Sequence, residues 1–171
     1  DVINKGLTEE VILQGARLAF EGGWTRVKLY FMLGLPFETE EDIRGIAELS
    51  NKIAALFYET VPKEKRNGKV QIVASTSFFI PKPFTPFQWM AMTEKKVVEK
   101  RLNFLKKALK DKQIELLIEP LRSAYIQGVL SRGDRRVGDL LVKAHEYGGV
   151  KGWKRAAKEL HFDIKGFLYD Q

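Results

Sequence analysis

The feature that most restricts the fold is a repeated change of hydrophobic period along the chain. Three strand-like runs, TRVKLYFML, KVQIVASTSFFI and QIELLIE, each follow a stretch whose apolar residues recur at helical spacing. Strands joined by a dozen or more helical residues pair in parallel, because only a crossover of that length returns the chain to the same end of a sheet. The expectation is an α/β fold, with a parallel sheet covered by helices. Three strands cannot close a barrel, so one edge of such a sheet stays open.

Local signals set the element ends. Thr8 is placed to cap a helix through EEVILQGARLAF, with Glu9 and Glu10 complementing its positive start and Gly22-Gly23 ending it. Thr39 with Asp42 three positions on, followed by Ile43, Ile46, Ala47, Ile53 and Phe57, predicts a second, longer helix to about Tyr58. VPKEKRNGK reads as an exposed loop. In IPKPFTPFQW three prolines forbid both helix and ladder. A third amphipathic helix is predicted from Thr93 to Lys112, with Val98, Leu102, Leu105 and Leu109 on one stripe. Pro120 opens a fourth to about Leu130, Gly133 and Asp134 form the corner to a fifth that ends near Tyr147, and a short aromatic tail over 150–171 reads as helical. The domain expectation is 1–112 for the sheet and its helices and 113–171 for a mostly helical extension.

Composition removes whole classes of function. With 44% hydrophobic and 30% charged residues the 171-residue chain has material for a core, which excludes a disordered tail. The sequence has no cysteine, so it supplies no disulfide, no thiol nucleophile and no thiolate ligand. His145 and His161 are its only histidines and lack ligand-forming neighbours in helical register. The longest strongly apolar stretch, about Leu29 to Pro36, is far short of the ~18–20 residues that span a bilayer. The opening DVINKGLTEE lacks a methionine and an apolar leader, and reads as the interior of a longer cytoplasmic protein.

The net charge of +7 is unevenly spread: residues 61–113 carry 13 basic and 4 acidic side chains, whereas residues 1–60 carry 6 and 10. Lysines of the helix over 93–112 could neutralise phosphates, which makes an RNA-binding module the alternative function. A solvated outer helix is the plainer and favoured account of them.

In parallel α/β architectures ligands sit beyond the carboxyl ends of the strands. Two segments occupy that position. GLPFETEED follows the first strand, with Gly34 removing a side chain, Pro36 stiffening the turn, and Glu38 and Thr39 leading into a helix start. STSFFIPKPFTPFQW ends the second, and its prolines hold an extended chain whose carbonyls can accept hydrogen bonds from a heterocycle. The ordinary accounts are a capped strand-to-helix turn for the first, and for the second a rigid connector packing Phe84, Phe87 and Trp89 on the core.

Taken in order, TEEVILQGARLAFEGGWTRVKLYFMLGLPFETEEDI, STSFFIPKPFTPFQW and LSRGDRRVGDLL resemble the C-terminal half of the catalytic domain of radical S-adenosylmethionine (radical SAM) enzymes. The narrower resemblance is to an uncharacterised bacterial family of Fe-S oxidoreductases in which that domain follows a cobalamin-binding-like region. The resemblance implies part of a (β/α)6 partial TIM-like barrel, with residues 8 to 22 as its fourth helix, TRVKLYFML its fifth strand and KVQIVASTSFFI its sixth, followed by a helical C-terminal extension. It implies S-adenosylmethionine and a 4Fe-4S cluster as cofactors of the parent protein. The family's three-cysteine cluster motif has no counterpart here, so neither cofactor is expected on this piece alone, and the piece alone is expected to be inactive. Its implied partners are the missing N-terminal part of the same chain and the cobalamin-binding-like region. Carried over position by position, the resemblance assigns the adenine pocket to Met32, Gly34, Leu35, Pro36 and Glu38 on one segment and to Phe79, Ile80 and Pro81 on the other. In the SRGDRR stretch, Arg132, Arg135 and Arg136 read either as an anion-binding cluster or as a helix-helix corner with solvated arginines.

Overall fold

The computed structural model describes residues 5–109 and 111–170. The chain divides into two compact units. One runs to Ser77 and resumes over Lys95–Ile118; the other contains Phe78–Glu94 and the chain from Glu119 onward.

The first unit begins with helix α1 (Glu9–Glu21), where the Thr8 hydroxyl accepts the Val11 N–H at 3.4 Å. Strand β1 (Arg26–Leu33) follows, then helix α2 (Glu40–Thr60). The start of α2 is a reciprocal cap: Thr39 Oγ1 accepts from the Asp42 N–H at 3.3 Å, and the Asp42 carboxylate accepts from the Thr39 N–H at 2.7 Å. Strand β2 (Gln71–Phe78), helix α3 (Lys95–Ala108) and strand β3 (Ile114–Ile118) complete the series. The sheet order is β1-β2-β3.

β2 and β3 pair in parallel, with Ile72 beside Ile114 and Thr76 beside Ile118. The Gln71 N–H donates to the Thr25 carbonyl at 2.8 Å and the Ser77 hydroxyl to the Phe31 carbonyl at 3.3 Å. The offset is 46 residues in both, and a constant offset is the signature of parallel strands. Both strands therefore deliver their carboxyl ends to one edge of the sheet.

Helix α2 lies between α1 and α3 and touches β1 and β3, so the three helices form one layer. Leu33, Ile72, Ala74, Thr76 and Ile114, which share one face of the sheet by period and register, are buried. On β1 the alternate positions Arg26, Lys28, Tyr30 and Met32 are exposed. The helix layer buries Phe20 and Phe57, whose rings meet edge to face at 5.2 Å, together with Ile43, Ile53 and Leu105.

The second unit is built on helices α4 (Leu121–Arg132), α5 (Arg136–Glu146), α6 (Trp153–Glu159) and α7 (Ile164–Tyr169). Its core joins Val129, Val137, Leu140, Ala144, Trp153, Ala156, Ala157 and Leu168 to Met92, which comes from the extended segment before α3.

The α/β class and the alternation of elements agree with the sequence. The domain division does not. β3 pairs with β2 and belongs with the sheet, so the boundary falls after Ile118 rather than at 112, and Phe78–Glu94 is grouped with the helices instead of the sheet. The cause is non-local: Met92 is buried by α4 and α7, a contact that no local pattern announces. The third helix is shorter than predicted, starting at Lys95 and ending at Ala108; Lys110 lies outside the described residues. No helix among the described residues is long and apolar enough to cross a membrane.

Phe57→Ala removes a fully buried ring and leaves a cavity against Phe20. The expected cost is about 3–5 kcal/mol, read as a lower midpoint in urea unfolding followed by circular dichroism.

Candidate functional site

The corner after β1 is a tight, internally bonded turn. Gly34 is buried with φ at +80°, a backbone region that glycine enters without steric cost. Leu35, Pro36, Phe37 and Glu38 then form a β-turn closed by the Glu38 N–H on the Leu35 carbonyl at 3.2 Å. Pro36 fixes the first central position, and Phe37 takes the second with φ at +65°. A type II turn asks for glycine or asparagine there, yet this position holds a phenylalanine that is 82% exposed.

Glu38 folds back beneath this turn. Its two carboxylate oxygens accept the Gly34 N–H at 2.9 and 3.0 Å. From α3, Arg101 Nη1 donates to Glu38 Oε2 at 2.6 Å while Nη2 donates to the Glu38 carbonyl, also at 2.6 Å. The Glu38 side chain is 4% exposed and that of Arg101 16%. Burial pushes the Glu38 carboxyl above its ordinary value, with the Gly34 N–H and then the Arg101 guanidinium pulling it back part of the way. Glu38 is thus the clip that shapes the corner, with its oxygens committed to the chain itself. Of the other predicted residues here, Pro36 is buried, Leu35 half-buried, and Met32 exposed on β1.

The segment after β2 belongs to the other unit. Phe79 is buried and meets Phe87 edge to face at 6.0 Å; Pro81 is fully buried and Ile80 half-buried against the helical core. The connector account expected Phe84, Phe87 and Trp89 on the core, and it holds for Phe87 alone. Phe84 is 96% and Trp89 75% exposed, and Phe84 has φ at +62°. Two local bonds shape this stretch: the Thr85 hydroxyl donates to the Lys82 carbonyl at 2.7 Å, and the Phe84 N–H to Gln88 Oε1 at 3.1 Å.

The basic helix is less available to phosphates than its composition suggests. Lys95 pairs with Glu99, Lys100 with Glu40, and Arg101 is held by Glu38. In the SRGDRR stretch Arg132 donates to backbone carbonyls, including that of Leu168 at 2.9 Å, and Arg136 pairs with Asp134 at 2.7 Å. This is the corner reading rather than a free anion cluster. A cavity of about 540 Å³ is lined by Arg136, Asp139, His161, Phe162, Asp163 and Phe167, and contains none of the residues assigned to the adenine pocket. Among the described residues no group of three or more histidine or acidic side chains is placed to hold a metal ion.

Sequence reasoning missed Arg101 and Phe37. Arg101 had a legible signal, because it falls within the Val98, Leu102, Leu105 stripe where a charge demands a buried partner. Phe37 had none, since nothing in its chemistry announces a positive φ.

The chain matches no family model and no solved structure. An uncharacterized protein of Methanocaldococcus jannaschii is 36% identical over 141 residues, which are 82% of this chain and 29% of that protein. The chain thus spans under a third of the length of the relative it matches.

Three outcomes follow from the corner. Glu38→Ala removes the carboxylate that accepts from the Gly34 N–H and from Arg101 Nη1 while leaving the Glu38 carbonyl to Arg101 Nη2, and is expected to cost about 2–3 kcal/mol, whereas Glu38→Gln, which keeps one side-chain acceptor, costs under about 1 kcal/mol. Because the folded-state carboxyl titrates above its ordinary value, its stabilising contribution is present below the unfolded value and is lost as pH rises through the folded one. Urea midpoints measured across that window should therefore move in favour of wild type over Glu38→Gln as pH falls. Phe37→Gly relieves the left-handed strain with little packing lost, and is expected to raise stability by about 0.5–1 kcal/mol in the same assay.

Proposed function

We propose that this chain is the later part of a radical SAM domain, and that it contributes one wall of an S-adenosylmethionine site in a larger enzyme. The observation that carries this reading is the parallel pairing of consecutive strands β1 and β2, each of which runs directly into one of the two segments that carry the resemblance. A sheet in sequential order with α1, α2 and α3 in one layer also suits the wall of a (β/α)6 partial barrel, where a doubly wound sheet would place helices on both faces.

The residues present fit the two cofactors unequally. With no cysteine the chain offers no thiolate to an iron-sulfur cluster, so the cluster and its electron belong to another part of the parent. The fit to the nucleoside is better. Gly34 lets backbone approach a flat ring without a Cβ in the way, Leu35 and Met32 supply apolar contact, and the Glu38–Arg101 clip keeps the corner rigid. By the resemblance, Phe79, Ile80 and Pro81 would offer edge contacts of their own to a nucleoside. S-adenosylmethionine held there would supply a carbon-centred radical for the parent enzyme once one electron arrived from the cluster. The share of this chain is to orient the nucleoside and exclude water. The substrate of that radical is set elsewhere in the parent.

The test uses the full-length protein that contains this sequence, reconstituted anaerobically with iron and sulfide. Formation of 5′-deoxyadenosine under dithionite is the expected result, together with a roughly tenfold or greater weakening of S-adenosylmethionine binding in Gly34→Val. Absence of both binding and cleavage in the reconstituted protein overturns the reading. Retention of RNA by the same protein, lost on Lys96→Glu and Lys107→Glu in a gel-shift titration, would favour the nucleic-acid alternative instead.

A further inference from the structure

We infer that α7 and Arg132 form a latch on the segment that leaves β2, and that Arg132 is a positioning residue for Phe79–Met92. Four bonds tie this stretch to the helices of its unit. Lys82 Nζ donates to Ser131 Oγ at 3.2 Å, and Tyr125 donates its hydroxyl to the Thr93 carbonyl at 2.9 Å. The Met92 N–H donates to the Leu168 carbonyl of α7 at 2.9 Å. Arg132 completes the set, with Nη1 donating to the Met90 carbonyl at 3.3 Å and to the Leu168 carbonyl at 2.9 Å, and Nη2 to the Asp170 carbonyl. One guanidinium therefore spans the segment and the end of α7, where a planar fork of donors can serve several carbonyls at once and an ammonium cannot.

The steric fit is as close as the bonding. A Cβ built on Gly128 of α4 would stand 2.3 Å from Met92 Sδ and 2.8 Å from Leu168 Cδ2, so the segment and α7 meet directly over this glycine, and a side chain there has to push both tips aside. α7 has six residues, too few to persist as a helix by itself. It stays folded through contacts: Leu168 is buried, Tyr169 meets Tyr125 at 6.3 Å, and Phe167 stacks on Phe162 at 5.0 Å. Docking of α7 and ordering of the segment are consequently one event. The mechanical claim stands on these bonds alone, and its consequence for the cofactor rests on the proposed role of Phe79, Ile80 and Pro81.

Hydrogen exchange on this chain tests the latch. In Arg132→Ala, amides of the 79–94 segment and of α7, that of Met92 above all, are expected to exchange about tenfold faster or more, while those of α5 and α6 keep their protection. Arg132→Lys restores part of the protection, and Arg135→Ala, an exposed change in the same corner that touches neither these carbonyls nor α7, leaves the segment at the wild-type rate. Gly128→Ala wedges the same junction from another side and should reproduce the local loss if Arg132→Ala fails to fold. Unchanged exchange in the segment, or loss of protection only together with α5 and α6, overturns the latch. In the reconstituted full-length protein, Arg132→Ala is expected to raise the KM for S-adenosylmethionine with kcat largely kept, and Arg132→Lys to recover part of the loss. Failure of S-adenosylmethionine cleavage by wild type would defeat the functional reading and leave the exchange result intact.

Discussion

Parallel pairing is the constraint from which the rest of this structure descends. A strand that must lie beside its predecessor and point the same way obliges the chain to travel back along a helix, and it leaves a corner at the same edge of the sheet each time. Here the corner after β1 is fixed by a side chain from the crossover after β2, since Arg101 of α3 reaches the Glu38 carboxylate and carbonyl. Successive corners and crossovers are thus bolted to one another. The acid at this junction is held at a cost in burial, and its value lies in the geometry that its two oxygens impose on Gly34.

What the sequence made legible was what short-range physics decides. Thr8 and Thr39 cap the helices they were expected to cap, because a hydroxyl or carboxylate a few positions from an unbonded N–H needs nothing else from the fold. The three strands were readable from β-branched and aromatic runs, and the end of β2 from the prolines that follow it. The division into units was not readable. Whether Met92 and its neighbours pack on the sheet or on the helices depends on Gly128 and Leu168, which lie far along the chain and join the segment only in three dimensions. The candidate corner was placed correctly as a strand-to-helix turn. The inward commitment of Glu38 and the left-handed Phe37 both required coordinates, since each depends on what surrounds the residue.

The two predicted binding segments differ in how they are stiffened. The GLPFET corner is rigid through a buried ion pair and a turn that carries its own strain. The proline segment is rigid through an external scaffold, with Arg132 at the end of α4 serving the backbone of its neighbours rather than any incoming anion. Both solutions leave an aromatic ring in water, Phe37 in one and Phe84 in the other, each on a residue with positive φ.

The helical unit is also discontinuous, since its core takes Met92 from before α3 and Leu168 from the last helix. On a ribosome the sheet and its helices can assemble once β3 has emerged, but the piece of chain around Met92 must wait, without its final partners, until α7 has been made. Such long-range closure slows folding and leaves apolar surface unsatisfied in the interval. Pro83 and Pro86 of that piece are exposed and have no N–H to donate, which leaves a waiting strand end fewer ways to pair with the wrong neighbour.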